Sequence, residues 1–78
     1  MDFQKLVQEL VSTYHTAPPG ERVTMIYLFG IKYADEITQN RYSLVDLLKA
    51  AEVPVSYRIE LKKAINLAAY VYVRPEYL

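Results

Sequence analysis

Apolar residues recur at intervals of three and four along most of this chain, and that period settles the fold class before composition is considered. In the first segment Phe3, Leu6, Val7, Leu10, Val11 and Tyr14 keep the spacing, with Gln4, Lys5, Gln8, Glu9 and Ser12 between them. One apolar stripe on a polar cylinder is an amphipathic helix. Asp2 stands where a side chain caps the first free N–H groups. Ala17-Pro18-Pro19-Gly20 ends the helix, because proline lacks an N–H and disfavours helical geometry in the residue before it. A second helix is predicted from about Glu21 to about Thr38. Its middle, Met25 to Ile31, is apolar almost all round, as suits a central helix with several neighbours. The β-branched and aromatic residues there would also suit a buried strand. The stripe of Val23, Ile26, Tyr27, Gly30, Ala34 and Ile37 favours the helix. Gly30 costs roughly 1 kcal/mol relative to Ala inside a helix, and the use expected for it is to let another helix approach closely.

Two shorter helices follow. Ser43 with Asp46 three residues on is a capping-box pattern, and Leu44, Leu47, Leu48 and Ala51 form the inner stripe of the third helix. Glu52-Val53-Pro54-Val55 is the turn, and Ser56 is the expected cap of the fourth helix. Ile59, Leu61, Ala64, Ile65, Ala68 and Val71 are expected to face inward, with Pro75 marking the end. Tyr70-Val71-Tyr72-Val73 alternates, which favours extended backbone, so this helix is expected to stop near Ala69. The prediction is an all-α protein: a compact bundle of about four helices forming one domain over residues 1–78.

Composition removes many functions. The chain has no cysteine and one histidine, which excludes disulfides, thiolate metal sites and a cysteine nucleophile, and leaves too few ligands for an ordinary zinc site. His15 has no Ser or acidic partner at motif spacing, the isolated glycines form no phosphate-cradling loop, and Asp35, Glu36, Asp46 and Glu52 lack calcium-loop spacing. No cofactor, metal, small-molecule substrate or enzymatic activity is therefore expected. The N-terminal Met1-Asp2-Phe3 lacks the basic and apolar regions of a leader, and no apolar run is long enough to span a membrane. A cytoplasmic location without membrane contact is the expectation.

Basic and acidic residues balance at nine each, whereas nucleic-acid binders are usually basic overall. The balance is uneven along the chain. Residues 1–40 carry three basic side chains against five acidic ones, while residues 57–74 carry Arg58, Lys62, Lys63 and Arg74 against Glu60 alone. Apolar residues make up 53% of the chain, including most of its eight tyrosines' bulk, and a chain this short has little volume in which to hide them. Tyr70, Tyr72, Tyr77 and Leu78 at the chain end are the expected interface, with a second copy of the chain or with another protein.

A short capped helix, a turn of about four residues and a longer helix is the helix-turn-helix plan, expected here at about residues 43–73. The stretch "SLVDLLKAAEVPVSYRIELKKAI" resembles the helix-turn-helix of phage and bacterial repressors. It departs from that pattern at Glu52, where the turn glycine would stand, at Leu48 in place of a small residue, and at Arg58, where a buried residue is usual and Ile59 comes one place late. These departures imply a modified turn. More broadly, "LFGIKYADEI" and "AEVPVSYRIELKKAINLAAYV" are similar to small helix-turn-helix-like proteins of bacteria and mobile elements, over roughly residues 21–73. The resemblance implies the fold, and together with the basic last helix it favours a DNA-binding regulator, expected to be a dimer on duplex DNA. Arg58, Lys62, Asn66 and Tyr70 are spaced by four along one stripe, with Lys63 beside it. Arg and Lys suit phosphate and guanine, and Asn suits adenine. The same charges would also serve simply to solvate an amphipathic helix. A protein-interaction module that reuses the fold, as an assembly subunit or a phage-type inhibitor of a host protein, is the alternative function.

Overall fold

The computed structural model describes all residues from 1 to 78. It contains five α-helices and no strand: α1 Phe3–His15, α2 Arg22–Lys32, α3 Ala34–Gln39, α4 Leu44–Ala50 and α5 Arg58–Leu67, with 3₁₀ turns at Val55–Tyr57 and Pro75–Tyr77. The all-α expectation holds, and Met25–Ile31 is helical. No helix is long and apolar enough to cross a membrane.

Local signals place most helix ends. The Asp2 carboxylate accepts from the Lys5 N–H at 2.8 Å and caps α1. The proline pair follows, and Gly20, at φ 80°, turns the chain into α2. Ser43 accepts from the Asp46 N–H at 3.2 Å and caps α4. Leu6, Val7, Leu10 and Tyr14 from α1, Ile26 and Phe29 from α2, Ile37 from α3, Leu47 and Leu48 from α4, and Leu61 from α5 meet in one core with Ala51 and Val53 of the turn. The Cα radius of gyration, 11.3 Å, matches the value of about 11.5 Å that a compact chain of this length should have.

The predicted second helix is two helices. Tyr33 sits between them at φ −111° and ψ 18°, outside helical geometry. Its ring packs at a tilt on Phe29, centroids 5.1 Å apart, and its hydroxyl donates to Glu9 of α1 at 3.1 Å. Those two contacts hold the break, and the redirected chain brings Ala34 and Ile37 into burial. Val23, expected in the inner stripe, is exposed at the far end of α2. Gly30 does what the sequence implied. A Cβ built on it would stand 2.5 Å from the Ala64 Cβ and 3.1 Å from Leu61 Cδ1, so α2 and α5 cross almost backbone to backbone.

Candidate nucleic-acid interface

The C-terminal helix pair owes its geometry to the way α4 ends. Ala51 closes the helix, and Glu52 follows in the left-handed conformation at φ 57°. The Glu52 N–H donates to Lys49 O at 3.1 Å, and the Val53 N–H reaches back to Leu48 O at 2.9 Å. This is the two-bond C-terminal lock usually made with glycine, completed by the apolar pair that flanks it, here Val53 on Leu48. The turn is thus modified in residue and preserved in shape. Leu48, which stands where the repressor pattern has a small residue, is fully buried. His15 at the end of α1 adds a tie: its Nε2 lies 2.9 Å from Ala51 O.

The start of α5 differs from expectation. Ser56 is not its cap. Residues 55–57 form a 3₁₀ turn, and α5 begins at Arg58 with no side-chain cap. Tyr57 of that turn packs edge-to-face on Tyr14 at 5.8 Å. The Tyr14 hydroxyl beside it pushes the Tyr57 phenol above its ordinary pKa. With Tyr57 inward, both Arg58 and Ile59 turn outward. Ile59, expected in the core, is 52% exposed, and Val71, also expected inward, lies beyond the end of the helix and is exposed.

Leu61 and Ala64 carry the buried side of α5. The opposite side has two rows spaced by four: Arg58, Lys62 and Asn66, then Ile59, Lys63 and Leu67, all exposed. The ion pairs of the molecule are Met1 with Glu36 and Arg74 with Glu76. Arg58, Lys62 and Lys63 therefore present three cations on one open face without an anionic partner. The structure brings the four sequence-predicted contact residues together, while Tyr70 does not continue their stripe, because α5 ends at Leu67 and the chain turns away. Ile59 and Leu67 were missed as members of this face. Helical spacing alone allows them on either side, and only the crossing at Gly30 fixes the rotation of α5.

The tail runs extended after the turn at Tyr70, and Tyr77 accepts from Lys32 Nζ through its carbonyl at 3.4 Å. Together with α2 and α3 it borders a groove of about 280 Å³, lined by Ile31, Ala34, Ala68, Val71, Tyr72 and Leu78. Tyr70, Tyr72, Tyr77 and Leu78 are all exposed, Tyr72 to 97%.

A helical core carrying a locked turn and an open, cationic second helix matches the helix-turn-helix plan. The chain belongs to the family described as the HTH-like domain, whose model matches residues 2–74 and so includes α1, α2 and α3 as well as the helix pair. Comparison with curated proteins and with solved structures gives no match.

Proposed function

We propose that this protein is a small DNA-binding regulator that lays α5 in the major groove of duplex DNA and works as a dimer. The observation that carries the reading is the set of three unpaired cations on the exposed side of α5. Arg58, Lys62 and Lys63 hold phosphates, and Asn66, on the last turn, bonds the edge of an adenine. Family membership supports the same reading. The role is binding, with no catalytic step. Pairing through Tyr70, Tyr72, Tyr77 and Leu78 sets two copies of α5 on successive turns of the duplex.

The test is fluorescence anisotropy on mixed-sequence duplexes over a range of salt. Each neutralised phosphate contributes a slope of about −0.9 in log K against log salt, so three cations give about −3 per protomer. Lys62→Glu with Lys63→Glu should weaken binding to all duplexes alike. Absence of binding at low salt would end this reading. The half-exposed Ile59 and Leu67 would then favour the second one, a module whose α5 face docks on a protein.

A further inference from the structure

Ile59 is a large apolar side chain that the fold leaves half exposed. It stands on the first turn of α5, more than half exposed, with Arg58 and Lys62 beside it. The helix has no freedom to turn it inward, because Leu61 and Ala64 are locked against Gly30 at contact distance. Resting on the DNA-binding reading above, we infer that Ile59 is a specificity-determining residue that seats on the 5-methyl group of a pyrimidine in the major groove.

Residues in the N-terminal turns of a recognition helix meet base edges, and Ile59 is the second residue of α5. Isoleucine has neither donor nor acceptor. Purine edges and the unmethylated cytosine edge show the groove only donors and acceptors, and an apolar side chain against them leaves those groups without partners. The C5-methyl group is the single apolar feature on display. Thymine carries it, and so does 5-methylcytosine. Ile59 therefore fixes a methylated pyrimidine opposite the first turn of α5, while the neighbouring cations grip the backbone on either side.

The experiment starts by selecting preferred duplexes from a random pool with the full chain. Each thymine of the preferred site is then replaced in turn by deoxyuridine, which pairs identically and lacks only the methyl group. At one position per half-site the affinity should fall about fourfold, the worth of one buried methyl group. Ile59→Ala should bind the uracil and thymine duplexes equally, and Ile59→Val should keep the preference in reduced form. Since Ile59 is largely exposed, both variants should melt as the parent does. Placing 5-methylcytosine and then cytosine at the same position separates the sources: recovery with the methylated base extends recognition to either pyrimidine, and no recovery confines it to thymine. Indifference of the parent chain to every uracil replacement, an unchanged penalty in Ile59→Ala, or DNA binding without any preferred sequence would overturn the inference and leave DNA binding standing. No duplex binding at low salt would overturn both.

Discussion

Two residues sit where an L side chain is strained. Arg41 at φ 54° and Glu52 at φ 57° each follow a helix end and each complete the same two-bond lock, with Tyr42 N–H on Ile37 O at 3.1 Å in the first case and Val53 N–H on Leu48 O at 2.9 Å in the second. The left-handed conformation costs a residue with a Cβ about 1–2 kcal/mol, and glycine escapes that cost while losing more freedom on folding. Arg41→Gly and Glu52→Gly should each therefore raise stability by about 0.5–1 kcal/mol. Urea midpoints measure this directly, and a lowered midpoint in either variant would show that the charged side chain stabilises by a route the geometry does not contain. Tyr33 gives a second residue-scale outcome. Burial first, then the hydrogen bond and charge of Glu9, push its phenol up to about 12. A folded pKa raised above the unfolded value, about 10 for Tyr, means full stabilisation below pH 10 that is lost as pH climbs towards 12. Tyr33→Phe should cost about 1 kcal/mol at neutral pH through the lost hydrogen bond. It should also flatten the alkaline decline, leaving the part due to the raised phenol of Tyr57. Thermal melts at stepped pH report both.

Among the elements, the α2–α5 crossing decides the most. Gly30→Ala gains about 1 kcal/mol of helix propensity, yet the new methyl would meet Ala64 Cβ at 2.5 Å. Overpacking of this kind costs about 1–3 kcal/mol, and here the obstacle is a short side chain fixed to a helix, so the helix must move. Net destabilisation of up to about 2 kcal/mol is expected, and Ala64→Gly in the same chain should recover part of it. A denaturation double-mutant cycle tests that coupling, and additive effects would show that the two positions do not share one contact. The crossing also explains why some elements were legible and one was not. The caps at Asp2 and Ser43 and the stop at Pro18 act within a few residues, so the sequence displays them. The break at Tyr33 depends on Glu9, 24 residues away, and the helical stripe runs through it without a visible fault.

For the molecule as a whole, the unanswered surface is the tail. Tyr70, Tyr72, Tyr77 and Leu78 are exposed, and Tyr72 and Leu78 border a mostly apolar groove that Lys32 and Asp35 also line. A chain of 78 residues without disulfides has a thin margin of stability, and removing that surface from water yields about 25 cal/mol for each Å². Sedimentation equilibrium at micromolar concentration should find a dimer. Truncation after Arg74 takes away Tyr77, Leu78 and the tie to Lys32, and should shift the chain towards monomer. Adding Tyr70→Ser and Tyr72→Ser should complete the shift. A dimer indifferent to all these changes would move the interface elsewhere, and a monomer at every concentration would reject pairing.

The sequence alone determined the helical class, the caps at Asp2 and Ser43, the need for a small residue at Gly30 and the polar stripe of Arg58, Lys62, Lys63 and Asn66. Each of these follows from period and from interactions that close within one or two helical turns. Only the tertiary structure decided that the second helix breaks at Tyr33, that Tyr57 rather than Ser56 organises the entry to α5, and that Ile59 faces outward. The physical reason is common to all three. An apolar residue on a helix can be buried by any neighbour within reach, and which neighbour is within reach depends on where distant helices cross. Here Gly30 and Ala64 set that crossing, Leu61 follows them inward, and the rotation left over exposes Ile59 beside the three cations.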